Sequence, residues 1–333
     1  MRNSIMGNKI IRNIGLILAV LLLSVSCDRE EDEITWPGGP VMFTLSPVAT
    51  SAISSATPLG NLNPPGHTVP SNHMGFYLNV GTHQVCAMAA GRITRVYYNT
   101  GSDDYDIEFR HTSTCRSYLG HVENPTDIVA VGIDVEAGDN VGWATSYLDI
   151  GVIDDDITRY FIVPGRYHEN TIHAGDVYLY CSDEVRENLL AKNRRTAEPR
   201  GGKIDFDIDG ALSGCWFLEG TPVTYEASSY LYGVAQISFV YDMWDPSKLM
   251  IACGGTWSAA PFCCPVNGHG SPPDFGSVTP SRGLVKYETT HAATTDVVCV
   301  QLLESRRLKV EVFANKTYGA VTGFTTNARI YIR

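Results

Sequence analysis

Two histidines six residues apart, His67 and His73, stand in the stretch PPGHTVPSNHMGFYLNV from Pro64 to Val80, with a glycine two residues after the second and no carboxylate. Imidazole is a common metal ligand. A catalytic zinc takes three protein ligands and keeps a fourth position open, so this stretch supplies two donors at most. The other reading of PPGHTVP is a rigid turn, with the backbone fixed by proline and His67 hydrogen-bonded to it.

Three further segments have suggestive spacing and fail on count. HENTIH, from His168 to His173, sets its histidines five apart, off a shared helical face. DFDIDG, from Asp205 to Gly210, starts like a calcium loop, but Trp216 takes the twelfth position, where a bidentate Glu is required. Asp205, Asp207 and Asp209 read instead as the solvated face of a strand that ends in an Asp-Gly turn. GIDVEAGDNVG has neither phosphate-loop spacing nor a lysine.

The elements that must position such residues are strands. HMGFYLNV, GRITRVYYNT, YDIEFRHT and LDIGVID are short β-branched and aromatic runs broken by Gly, Pro, Asn and Asp. One stretch reads as a helix, SDEVRENLLAKNRRTAEP, with Ser182 as N-cap, acids in the first turn and basic residues before Pro199. Strands resume from GGKIDFDIDG, as AQISFVYDM, GLVKYETT, VVCVQLL, RLKVEVF and ARIYIR, with an irregular segment from Gly254 to Pro280. The expected fold is therefore mainly β, with two β domains joined by a helix.

The chain start sets the compartment. Arg2, Lys9 and Arg12 precede the apolar run IGLILAVLLL, which is too short for a mature spanning helix and leads through SVS into Cys27. This is the layout of a bacterial lipoprotein signal in which Cys27 is lipidated; the other reading is an ordinary cleaved signal peptide. DREEDEI, directly after the Cys, reads as a solvated tether. The expected organisation is signal 1–26, acidic tether 27–45, β domain 46–181, helical connector 182–199 and C-terminal β domain 200–333. The implied location is the cell envelope, with a lipid anchor in the outer membrane. Removal of 1–26 takes the formal charge from −11 to −14, which makes nucleic acid a poor partner. The eight remaining cysteines form an even set, expected as structural disulfides or buried thiols.

After His73 the segments VCAMAAGRITRV, YDIEFRH, SYLGHVEN, IDVEAGDNVGWA and YLDIGVID follow in order. From about Pro58 to Asp154 this order resembles the β core of the lysostaphin/LytM-type zinc endopeptidases, which cut peptide cross-links in peptidoglycan. The resemblance implies a LytM-like (duplicated hybrid motif) antiparallel domain. It also implies a site built from His-x-Gly-x-Asp, YxHL and HLHFE elements. HMGFY puts His73 at the first zinc ligand and Tyr77 where the Asp ligand belongs. YLDIG puts Tyr147 at one catalytic histidine and Asp149 at the third ligand. YLGHV puts His121 at the other catalytic histidine, with Tyr118 one residue further away than the pattern has it.

A phenol ionises only near pH 10 or so, and so replaces a carboxylate poorly. The expectation is a degenerate site without zinc, which binds a peptidoglycan peptide or a protein partner and uses Tyr77 and Tyr147 as contacts. The alternative is a zinc-dependent endopeptidase or other metallohydrolase with a rearranged site. Its ligands would be His73, Asp149 and a folded-back His67, with His121 as base or substrate contact.

Overall fold

The computed structural model describes residues 35–333 except 65, 232, 258–260 and 292–293. The expected signal sequence, Cys27 and the acidic run DREEDEI lie outside the described residues. The first sheet is built from β1 (Ile53–Thr57), β2 (Met74–Leu78), β4 (Gly91–Asn99), β5 (Asp104–Arg110), β6 (Cys115–Val122), β7 (Asp134–Val135) and β9 (Tyr147–Asp154). Its order is β1-β2-β9-β6-β5-β4-β7, with β10 (Ala174–Gly175) beside β9. A separate ribbon pairs β3 (His83–Cys86) with β8 (Asn140–Ala144).

Side-chain alternation decides what this sheet buries. Met74 and Phe76 of β2, Ile107 and Phe109 of β5, Leu119 of β6, and Leu148 and Ile150 of β9 all enter the core. The intervening positions, Gly75 and Tyr77, Asp106 and Glu108, Tyr118 and Gly120, Tyr147 and Asp149, therefore share the opposite face. That face carries the site.

The second sheet has the order β14-β13-β12-β11-β18-β17-β16-β15. Its strands are β11 (Gly214–Leu218), β12 (Gln236–Tyr241), β13 (Leu249–Cys253), β14 (Phe262–Pro265), β15 (Val285–His291), β16 (Thr294–Glu304), β17 (Arg307–Phe313) and β18 (Arg329–Ile332). Its first strand serves both layers: Cys215 and Phe217 belong to the core of the first sheet, and Trp216 to that of the second. Trp36–Arg333 form one compact unit.

Four expectations need correction. The helix is shorter than predicted, covering Asp183–Leu190 only, and although Ser182 is its N-cap residue its side chain makes no capping bond. The basic residues assigned to its end lie beyond it, and Arg195 instead donates to the carbonyls of Pro199 and Met243. DFDIDG forms no strand, and Asp207 is buried rather than solvated. The Asp207 carboxylate accepts from Ile162 N and Cys215 N at 3.0 Å each and faces Arg333 at 3.4 Å. The segment expected to be irregular holds β14, paired with β13.

Among the described residues all eight cysteines are free thiols, six of them buried and Cys86 and Cys263 partly so, which removes the disulfide expectation. Cys253 lies opposite Phe262, and Cys264 opposite Ile251. The two thiols are thus diagonal across the ladder rather than opposed, outside direct bridging geometry.

Candidate functional site

The loop before β2 folds back on itself, with Asn63 and His67 exchanging backbone hydrogen bonds of 2.9 and 3.1 Å. This brings the His67 ring to 4.9 Å from the His73 ring, centroid to centroid. Burial, and then the neighbouring His73, push the His67 pKa down to about 4, so this imidazole stays neutral.

His73 stands just before β2. Its Nδ1 lies 3.1 Å from Asn72 Oδ1, and Asn72 Nδ2 donates to Thr171 Oγ1 at 3.2 Å. Asn72 Oδ1 is therefore the acceptor, and His73 Nδ1 carries the proton. The other nitrogen, Nε2, faces Asp149 Oδ2 at 3.4 Å. A neutral His73 would set a lone pair against a carboxylate, an arrangement relieved by protonation of the ring or by a cation between the two.

Asp149 is placed by its pairing with Gly75 on one side and Gly120 on the other. Burial works against its ionisation, but the attraction of His73 and the bond and charge of His121 outweigh it and hold the carboxyl below its ordinary range.

His121 reaches this carboxylate because β6 carries one extra residue. Ile107 pairs with Leu119, but Tyr105 pairs with Val122, so Gly120 and His121 together oppose Asp106. His121 takes a left-handed φ of 62°, which re-aims its ring. His121 Nε2 lies 3.4 Å from Asp149 Oδ2, and its Nδ1 lies 2.6 Å from Asp104 Oδ2. The bond to Asp149 pushes the ring's pKa up; burial opposes this, Asp104 adds to the rise, and the value reaches about 9. His121 is thus an imidazolium between two carboxylates at neutral pH.

Tyr77 does not join the cluster. It is half exposed and packs edge-on against Tyr147 at 4.8 Å. Tyr147 lies over Gly75 and 5.7 Å from the His121 ring. Burial and then the charge of Asp149 push its pKa up, so it remains a neutral phenol.

Sequence reasoning missed Asp104, Asp106, Asn72 and the far wall of the groove. The alternation Asp104, Asp106, Glu108 in DYDIEF was a legible signal for the first two. The cluster opens into a cavity of about 370 Å³ lined by His67, His73, Asp106, Asp149, His168 and Tyr225, among others. His168 packs edge-on against Tyr225 at 5.0 Å, so the segment following β11 closes one side.

Two of the buried atoms lining this cavity that have no hydrogen-bond partner are His67 Nδ1 and Asp149 Oδ1. Both atoms suit a metal by chemistry. Even so, among the described residues no group of three His, Cys, Asp or Glu stands in metal-holding geometry. As the side chains stand, zinc does not fit.

No family model matches the chain, and no curated protein matches it. Solved structures do. A zinc-containing peptidase from Vibrio cholerae matches with 19% identity and a TM-score of 0.27, over 37% of this chain and 38% of that one. The catalytic domain of the antimicrobial peptidase lysostaphin from Staphylococcus simulans matches with 17% identity and a TM-score of 0.27, over 35% of this chain and 84% of that one. The solution structure of lysostaphin matches with 12% identity and a TM-score of 0.29, over 85% and 92%.

The chain resembles the lysostaphin/LytM-type peptidases in fold. TM-scores this low carry nothing about the site. The matched part spans well under half of the Vibrio cholerae peptidase.

Proposed function

We propose that this protein is a cell-envelope lipoprotein, anchored through Cys27, whose groove binds a peptidoglycan stem peptide without cutting it. The observation that supports this reading is the commitment of the site's donors to one another. Asp149 Oδ2 is bracketed by His73 Nε2 and His121 Nε2 at 3.4 Å each, and Asp104 takes the other side of His121. A protonated His121 has no lone pair with which to activate water. What remains is a groove of fixed charges and aromatic rings, which is the equipment of a binding site.

The test is a zinc count on the full chain after loosely bound ions are removed, with and without His73→Ala, beside a thermal-shift titration with muropeptides. Substoichiometric zinc in both proteins and a muropeptide-dependent rise in Tm are expected. One zinc per chain that disappears in His73→Ala overturns the reading.

One observation favours a metallohydrolase instead. His67 Nδ1 and Asp149 Oδ1 are unpartnered at the same place, and with His73 they would be the donors if the side chains closed around an ion. The zinc count separates the two readings.

A further inference from the structure

We propose that the groove recognises a primary ammonium group on the bound peptide, seated between Asp149 and Asp106. This rests on the peptide-binding reading above and names the part of the peptide that is gripped. Asp149 Oδ1 is buried, has no hydrogen-bond partner and lines the groove. A carboxylate oxygen can only accept, so whatever completes this atom must bring a hydrogen or a positive charge. Leaving it unmet costs more than an ordinary hydrogen bond returns.

The second acceptor stands close by. A methyl group built on Gly120 would lie 3.0 Å from Asp106 Oδ1, 3.2 Å from Asp149 Cβ and 3.7 Å from Asp149 Oδ2, and Asp106 Oδ1 also accepts from Asn99 Nδ2 at 3.0 Å. Glycine at this position therefore lets Asp106 and Asp149 approach one another closely, and both carboxylates line the cavity. Asn170, which lines the same groove, adds a third acceptor, its Oδ1, buried and without a partner.

The charges around the space agree. The groove is lined by Asp106, Glu108 and Asp149 against Arg95 and Arg166. Arg166 is turned away: it donates to Thr221 Oγ1 and Pro222 O and lies over the Phe217 ring at 4.7 Å. An ammonium offers three donors and one charge in a compact group, and a buried one needs a carboxylate partner. A catalytic zinc would need three protein donors, and among the described residues no such group stands together.

The experiment uses the full chain in detergent and two probes, N-acetyl-Ala-Glu-Lys-Ala with a free lysine side chain and the same peptide acetylated on Nζ. Calorimetry is expected to show the free amine binding at least about tenfold tighter, the worth of one charge-assisted contact. Asp149→Asn should bring the free peptide down to the level of the acetylated one and leave the acetylated one unchanged. Asn170→Ala, outside the sheet, should weaken the free peptide less, which keeps the comparison informative if Asp149→Asn unfolds.

Equal affinity for both peptides overturns the ammonium proposal and leaves peptide binding standing. Failure of both peptides and of muropeptides to bind overturns both readings. Stoichiometric zinc held through Asp149 also overturns the proposal, because that acceptor is then a metal ligand.

Discussion

His121 Nε2 lies 3.4 Å from Asp149 Oδ2 while the other nitrogen of the same ring lies 2.6 Å from Asp104 Oδ2. Two carboxylates thus share one imidazole, while His73 faces the same Asp149 carboxylate, the His67 ring packs on His73, and Asp106 interacts electrostatically with His121. An unfolded histidine titrates near pH 6.5 or so, while here the bond to Asp149, against burial and helped by Asp104, lifts the value to about 9. Folding therefore favours the protonated ring. Its contribution is complete below the unfolded value and fades as pH rises through about 9. The side chain is 40% exposed, so solvent screening keeps the effect small. Urea midpoints measured from pH 6 to 10 should fall over this window in the wild type, and His121→Gln should flatten the curve.

Gly75 should resist any side chain. Its ideal Cβ falls on the hydroxyl of Tyr147 and 2.9 Å from Thr57 Oγ1. Thr57 Oγ1 both accepts from Gly75 N at 3.0 Å and donates to Gly75 O at 3.1 Å, so the backbone cannot slide away cheaply. Gly75→Ala should cost on the order of 1–3 kcal/mol, the usual range for overpacking. Because Gly75 pairs with Asp149, the same variant should shift the His121 titration followed by NMR. An unchanged Tm together with an unchanged titration would remove Tyr147 from the account.

Asp207 and Arg333 form a second test, away from the groove. Their side chains are 2% and 1% exposed, and Arg333 also donates to Ser213 O, Ile208 O and Ala211 O while lying over the Trp216 ring. Asp207→Ala removes the one carboxylate within 4.0 Å of that guanidinium among the described residues. Loss of one member of a buried pair costs about 3–5 kcal/mol. Denaturant unfolding should show a drop of that order, with a smaller one when Arg333→Met removes the charge as well.

The strand content of the first sheet was legible because its residues alternate cleanly, as in YDIEFRH and YLDIGVID, whereas the order in which the strands pair, with β9 between β2 and β6, was not. The site was legible chiefly through the resemblance, which placed His73, Tyr77, Tyr147, Asp149 and His121; the first four also fall on one face by counting in twos. His121 breaks the count. Only the bulge at Gly120 and the left-handed backbone of His121 bring its ring onto Asp149, and a one-residue register shift has no signature in composition. Asp205 to Gly210 failed for the opposite reason. Alternating aspartates look solvated, but Arg333, more than a hundred residues further on, supplies the charge that lets Asp207 be buried. Long-range partners of this kind are invisible to a local pattern.

His67 supplies the last prediction, at the acid end. Burial, with His73 and His121 adding their positive character and only Asp149 opposing, takes its pKa down to about 4. The unfolded chain binds this proton near pH 6.5 or so, and the folded chain does not bind it until much lower. Below the unfolded value, then, every step down in pH favours the unfolded state until the folded ring protonates. Stability should decline from about pH 6.5 toward pH 4, before most carboxylates titrate. The buried and unpartnered Nδ1 is the structural counterpart of this: a proton placed there has no acceptor in the described groove. Replacement by a neutral ring of similar size, His67→Phe, should remove the decline and leave the alkaline limb set by His121 in place. Equilibrium unfolding across both limbs reads the two histidines independently, and a decline that survives His67→Phe would locate the acid sensitivity elsewhere.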